Sequence, residues 1–371
     1  MINVLLIVCN NMLNGTERYV LDLAKNLPKD EFDVTIATPL QGPLSAMISE
    51  MKLKEFNYNN GKIEFYSLKG LYNLYKYIKK ERIDVVHANA KFQPCITAKL
   101  AGAKLTVETK HGIFYTSRQL KSLSGARIAY EKIKQLFVDR FIAISENDKK
   151  TMIKYFRINE KKISVIYNGI DINEIRTNAA YDKFIKVKDS GIVIGNVGRL
   201  TFQKAQEILL RAFNQLQVKI ENLSLVLVGD GENENELKEY VKVNNLKDKV
   251  IFKGYIKDVY KELLKFDILA LSSRYEGTPY VIFEAMALNI PVVTTDVGGI
   301  GNVLTDGYDA LICPYDSPDS LVKSLEKMII DKQLRENIIE SAAETIRKYT
   351  ISKMTSKVAE LYKTRLNRRL N

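Results

Sequence analysis

Two carboxylates, two cations and a helix start are the residues here best suited to chemistry. Glu276 and Glu284 stand eight positions apart in residues 272–291, SSRYEGTPYVIFEAMALNIP. Gly277, Thr278 and Pro279 turn the chain after the first acid, and the pattern beyond them predicts a helix carrying the second. Pro279 suits the first helical position, where a missing N–H costs nothing. The free N–H groups of Tyr280, Val281 and Ile282 then form an anion site at the positive helix end. This turn supplies an acceptor for sugar hydroxyls, donors for phosphate and an acceptor for ribose hydroxyls. A sugar joined through phosphate to a nucleoside needs that set. The same residues also fit a capped helix start with two solvated acids.

The cations come earlier. After the apolar run 191–197, the stretch GRLTFQKAQEILLRAF places Arg199 and Lys204 around a strand-to-helix turn. A planar guanidinium and a point-charge ammonium suit a diphosphate, although surface charge ahead of a helix would look alike. The motif is no dinucleotide fingerprint, since G-x-G-x-x-G is missing. Tyr255 follows a short apolar run, at a turn where a base could lie. Gly15, in a turn before a helix, lets backbone approach a ligand closely. His87 and His111 are the only histidines. They are too distant for a good metal site, and each falls at a strand end. His111, followed by Gly112, is the stronger functional candidate; His87 fits a structural role better. The acidic run GENENE matches no calcium loop.

These residues need scaffolding, and the hydrophobic pattern describes it. The continuous apolar run at 3–9 predicts a buried parallel strand, and 32–38, 84–88, 105–109, 140–145 and 163–167 read as further strands. Further runs at 191–197, 223–228, 250–252, 268–272 and 292–295 repeat the pattern. Helices are predicted from a Thr16 cap, over 71–80, over 319–328 and over 352–366. Strand–helix alternation implies doubly wound sheets whose ligands gather at the carboxyl strand ends. A length of 371 residues is comfortable for two domains. The polar stretch 173–190 reads as the linker, giving domains 1–172 and 191–348 and a closing helix over 349–371.

Composition narrows the partners. The net charge of +12 is uneven: residues 1–170 hold 27 Lys and Arg against 16 Asp and Glu, whereas residues 171–371 hold 29 against 28. The basic first half suggests an anionic partner, or simply a soluble basic surface. Residues 117–163 concentrate Arg118, Lys121, Arg127, Lys132, Lys134 and Arg140 with interleaved apolar residues, as helices on anionic lipid do. Solvated helical faces fit as well. No nucleic-acid module is present. Cys9, Cys95 and Cys313 read as reduced thiols. No apolar run spans a bilayer and no signal peptide is recognisable. The expected location is the cytoplasm, with peripheral contact at the inner membrane face.

Taken in order, NGTERYVLDLA, DVVHA, the KHG turn, IAIS, VIYNGID, VGRL with Lys204, LVLVGDGE, FKGY, the E-x7-E pair, TTDVGG and the terminal ELY helix resemble the retaining glycosyltransferases of family 4, over nearly the whole chain. The resemblance implies the α/β GT-B fold: two Rossmann-like domains facing across a cleft, with the last helix crossing back to the first. It implies a nucleotide-sugar donor, UDP-linked by first preference, and a glycan or lipid-linked acceptor in surface polysaccharide assembly. No nucleic acid, metal or other cofactor is expected, and no Asp-x-Asp occurs. By motif position Arg199 and Lys204 would hold the diphosphate, Glu284 the ribose and Glu276 the sugar. Tyr280 and Val281 would add amide donors. Tyr255 and Ile256 would flank the base, Gly15 would pack near the phosphates, and His111 would lie against the transferred sugar. Departures are Thr278-Pro279-Tyr280 for the usual glycine–aromatic–glycine turn, and Asn302, Asn14 and Asn89 for a frequent Glu, Gly and His. A nucleotide-sugar epimerase, a phosphorylase or a non-catalytic sugar-nucleotide or lipid-binding protein are the competing classes.

Overall fold

The computed structural model describes residues 1–59, 67–89, 91–113, 115, 117–181 and 191–367. The chain divides into two units, Met1–Gly169 with Ile351–Asn371, and Ile170–Thr350.

In the first unit seven strands pair in parallel: β1 (Ile2–Ile7), β2 (Phe32–Thr38), β3 (Lys54–Asn57), β4 (Val85–Ala88), β5 (Leu105–Lys110), β6 (Arg140–Ala143) and β7 (Ile163–Val165). Their order is β3-β2-β1-β4-β5-β6-β7, so the winding reverses between β1 and β4. Alternate residues of β1 go to opposite faces. Val4 and Leu6 meet Tyr19, Val20 and Leu23 of the helix Gly15–Asn26, while Leu5 and Ile7 meet Leu74 and Ile78 of the helix Leu68–Lys80. Burial on both faces is why the strand reads as an unbroken apolar run. The closing helix Ile351–Asn367 packs on this unit, as the resemblance implied. Ile351, Met354, Val358 and Tyr362 form its buried stripe and join the same core as β1.

In the second unit six parallel strands, β8 (Ile192–Val197), β9 (Leu223–Val228), β10 (Val250–Gly254), β11 (Ile268–Leu271), β12 (Val292–Thr295) and β13 (Leu311–Cys313), stand in the order β10-β9-β8-β11-β12-β13. Here the reversal lies between β8 and β11. The helix Gln206–Leu216 covers one face with Leu209, Phe213 and Leu216, all fully buried. Each such side chain contributes about 1.5–3 kcal/mol by leaving water.

Several local expectations change. β3 and β13 escape the apolar pattern because KEFN carries two charged residues and LIC is only three residues long; pairing with β2 and β12 recruits them. The first strand stops at Ile7, short of Cys9. The first helix is capped by Asn14, not Thr16: the Asn14 N–H donates to Glu17 Oε2 at 3.2 Å. Part of the expected linker is helical. Asp171 caps the helix Ile172–Ala179, accepting from the Glu174 N–H at 2.9 Å. That helix packs within the second unit, where Arg176 Nε donates to Ala287 O at 2.8 Å. Residues 182–190 lie outside the described residues. The chain enters the second unit beside the point where it leaves it, the Ile170 N–H donating to Tyr349 O at 3.0 Å.

Candidate functional site

The carboxyl ends of the second sheet gather most of the residues singled out by sequence. Four loops there are locked together through their backbones. The loop after β8 meets the loop after β9, with the Leu200 N–H donating to Asp230 O at 2.7 Å. It also meets the loop after β11. The Arg274 N–H donates to Gln203 O at 2.8 Å, and Ser272 Oγ donates to Ala205 O at 2.8 Å. The loop after β12 closes on the loop after β11, where the Gly299 N–H donates to Gly277 O at 3.1 Å. Gly298 is required at that junction. Its φ is +57°, and a Cβ placed on it would stand 1.7 Å from Glu276 O.

This frame positions the ionic centre. Lys204 Nζ lies 2.6 Å from Glu276 Oε1, and Ser273 Oγ donates to the same oxygen at 2.6 Å. Glu276 is 6% exposed and the Lys204 side chain 17%. The two residues assigned to different ligand groups by motif therefore form one nearly buried pair. Arg199 differs: it is exposed, and among the described residues its guanidinium has no ion-pair partner. Its carbonyl is fixed by Gln206 Nε2 at 3.0 Å, which anchors the backbone from which the charge projects.

The helix Tyr280–Ala287 follows, buried along its whole length, with Glu284 at 4% exposure. Pro279 is its N-cap, in extended geometry, rather than its first helical residue. The Ile282 N–H donates to Pro279 O at 3.2 Å, so Ile282 is removed from the expected trio of anion-binding amides. Tyr255 and Ile256 leave the end of β10, at the same sheet edge but two strands from β8, with Tyr255 exposed.

The first unit holds the other two candidates. Gly15 is the exposed first residue of its helix. His111 follows β5, half-buried. Its Nε2 lies 3.1 Å from Asn89 Oδ1, an acceptor that places the proton on Nε2, and its ring meets Tyr19 edge-on at 4.8 Å. Burial pushes its pKa down to about 3. His87 is fully buried in β4, between Tyr362 Oη at 2.6 Å and Thr109 Oγ1 at 2.6 Å. Burial, with a smaller contribution from His111, pushes its pKa down to about 3 as well. His87 thus ties the closing helix to the sheet.

Sequence reasoning passed over Ser273 and Tyr362. Ser273 was detectable from its S-x-x-E spacing to Glu276. Tyr362 ends the ELY match, but nothing local marks its partner His87, 275 positions away.

Two family models match this chain: "Glycosyltransferase Family 4" over residues 13–174 and "Glycosyl transferases group 1" over residues 178–345. Together they span most of both units. The UDP-Gal:alpha-D-GlcNAc-diphosphoundecaprenol alpha-1,3-galactosyltransferase of Escherichia coli is 28% identical over 95% of this chain and 94% of its own. A second relative, the N-acetylgalactosamine-N,N'-diacetylbacillosaminyl-diphospho-undecaprenol 4-alpha-N-acetylgalactosaminyltransferase of Campylobacter jejuni, is 32% identical over 53% of this chain and 52% of its own. Among solved structures, Anabaena HepE in complex with UDP superposes with a TM-score of 0.82 over 98% of this chain and 100% of its own, at 20% identity.

Proposed function

The chain belongs to the glycosyltransferases of group 1 and family 4 and has their GT-B fold, and from that premise we propose that it moves a sugar from a UDP-sugar to a hydroxyl of a lipid-linked glycan, with retention at the anomeric carbon. The observation carrying this reading is the set of Arg199, Lys204, Glu276 and the Tyr280 helix start on interlocked loops where the second sheet reverses its winding. Open α/β sheets bind their ligands at that point. The relatives named for UDP-galactose and for diphosphoundecaprenol acceptors support the choice of donor and acceptor.

Breaking the anomeric C–O bond builds negative charge on the leaving diphosphate and positive character on the sugar ring. Fixed charges help most where that charge develops. Arg199 meets the diphosphate with an uncommitted planar fork. Lys204 meets it as a point charge held in place by Glu276, and the Tyr280 and Val281 N–H groups add donors. No divalent metal is assigned a part. Glu276, fixed by Lys204 and Ser273, takes sugar hydroxyls with its remaining acceptor capacity. Glu284 takes the ribose hydroxyls, and Tyr255 and Ile256 flank the base. The acceptor hydroxyl oxygen bonds the anomeric carbon on the side the diphosphate leaves, and its proton passes to the departing diphosphate oxygen, without a covalent intermediate. The role belongs to surface polysaccharide assembly, with the basic first half resting on the anionic face of the membrane. No helix among the described residues is long and apolar enough to cross a bilayer.

A thermal-shift screen of UDP-, GDP-, ADP- and TDP-sugars, followed by donor hydrolysis, tests the reading. UDP-sugars should stabilise the protein most and be slowly hydrolysed. A GDP-sugar ranking first would overturn the base assignment, and binding without hydrolysis would favour a non-catalytic protein. Interconversion of donor sugars without acceptor would favour an epimerase, which the glycosyltransferase names of the relatives do not.

A further inference from the structure

Lys134 and Arg274 are both drawn out of water into ion pairs, with different reach. Lys134, on the helix Gly125–Phe137, is 1% exposed, so the basic-surface reading of that stretch is wrong for it. Its Nζ lies 3.0 Å from Glu108 Oε1 and 2.8 Å from Glu131 Oε2. Lys110 and Arg127 pair with the same two acids. That cluster holds one helix against β5 and serves the packing of the first unit.

Arg274 instead joins the segments that carry the donor-site charges. It stands between Ser273 and Glu276 in the loop after β11, with its side chain 14% exposed. Its backbone N–H donates to Gln203 O at 2.8 Å, and Gln203 Nε2 donates back to Tyr275 O at 3.1 Å. The guanidinium reaches three further segments. Nη1 donates to Phe202 O at 2.9 Å. Nη2 donates to Glu207 Oε1 at 2.5 Å, in the first turn of the helix Gln206–Leu216. Nε donates to Asp316 Oδ1 at 2.7 Å, in the loop after β13. The guanidinium carbon also lies 4.1 Å from the centroid of the Phe202 ring. A planar fork serves these directions at once, and an ammonium does not.

Phe202 and Gln203 lie between Arg199 and Lys204 in the chain. Arg274 therefore fixes the middle of the loop that carries both cations. Its neighbour Ser273 steadies the Lys204 side through Glu276. The loop needs this outside support. Ala205 ends it in the left-handed region at φ +50°, which a side chain disfavours. Thr201 Oγ1 is buried with no hydrogen-bond partner among the described residues, which is also unfavourable. Such a segment relaxes when its outside contacts are removed.

We propose that Arg274 is a positioning residue of the donor site, holding Phe202 and Gln203 so that Arg199 and Lys204 meet one diphosphate; this rests on the donor reading given above. The Arg274 guanidinium is occupied by protein acceptors, so it acts through the two cations.

UDP and uridine are the probes, titrated into the full chain by calorimetry, with UDP-sugar hydrolysis measured alongside. Arg274→Met should weaken UDP about tenfold, the scale of one charge-assisted contact, whereas uridine, which lacks both phosphates, should keep its affinity. The kcat of hydrolysis should fall by about tenfold to a hundredfold, as a displacement of roughly 1 Å produces. Arg274→Lys keeps the charge without the fork and should recover only part of either loss. Asp316 is 44% exposed, so Asp316→Asn loosens the same arginine with little risk to folding and should give a smaller loss in the same direction. In an Arg199→Ala background the effect of Arg274→Met on UDP should shrink, because one of the cations it positions is gone. Equal losses for UDP and uridine would make Arg274 a packing residue only and overturn the proposal. Full recovery by lysine, unchanged UDP binding by Asp316→Asn, or losses that add with Arg199→Ala would overturn it too. The wild type separates the two readings. If it binds UDP and the variants bind as well, the positioning role falls and the donor site stands; if it binds no UDP, the donor reading itself falls.

Discussion

Lys204→Met should cost the second unit far more stability than an ordinary surface lysine would. The substitution keeps most of the side-chain stem and removes the ammonium 2.6 Å from Glu276. Glu276, at 6% exposure, would retain only the Ser273 hydroxyl on that oxygen. Stripping one partner from a buried pair costs about 3–5 kcal/mol. The Lys204 side chain keeps 17% exposure, so water shares the pair and the low end, about 3 kcal/mol, applies. For a unit of this size each kcal/mol moves the midpoint by about 2–4 °C, so a fall of roughly 6–12 °C follows. Glu276→Gln leaves a cation closer to water and should cost less, about 1–2 kcal/mol. The double variant removes both charges and should lose less than the two losses added, with a coupling energy on the order of 2 kcal/mol. Calorimetric melting of the four proteins measures this. A Lys204→Met midpoint close to that of the wild type, or losses that simply add, would refute the idea of one mutually dependent buried pair.

Other outcomes follow from the same geometry. Arg199→Ala should reduce donor hydrolysis and transfer by at least about a hundredfold, the scale of removing one charge-stabilising donor, with little change in melting, since Arg199 is exposed; near-wild-type turnover would remove it from the diphosphate site. Gly298→Ala forces a Cβ to 1.7 Å from Glu276 O at φ +57°, so the loop must shift, and both melting temperature and UDP affinity should drop. Tyr362→Phe leaves His87 Nδ1 without its 2.6 Å partner and should cost about 1–3 kcal/mol in the first unit, measured by denaturant unfolding. Acid should weaken that unit through His87. Its folded pKa of about 3 lies below the unfolded value near 6.5, so the unfolded chain binds the extra proton. Stability is then full above about pH 6.5 and falls towards pH 3 by up to about 1.4 kcal/mol per unit. Asp148 acts oppositely. Its folded pKa is raised to about 6 by burial, so its stability is full below about pH 4 and lost as pH rises towards 6. Asp148→Asn should therefore steepen the acid loss between pH 4 and 6, and a pH series of melting curves for both proteins checks the sign.

The sequence alone determined the two doubly wound units. A strand buried on both faces is mostly apolar, and that signature survives without coordinates in β1, β8 and β9. It also determined which residues carry charge at strand ends, because Arg199, Lys204, Glu276 and Glu284 each belong to a local turn or helix pattern. Elements held by partners stayed hidden. β3 and β13 exist because a neighbouring strand offers hydrogen bonds, and the helix Ile172–Ala179 looked like a polar linker because its packing surface lies far along the chain. Tertiary structure alone decided the pairings: Lys204 with Glu276, 72 positions apart, and Tyr362 with His87. It also turned Lys134 inward, against the charge pattern of its own helix. Local propensity acts over a few residues, whereas a buried ion must find its counter-ion wherever the fold brings one within about 4 Å.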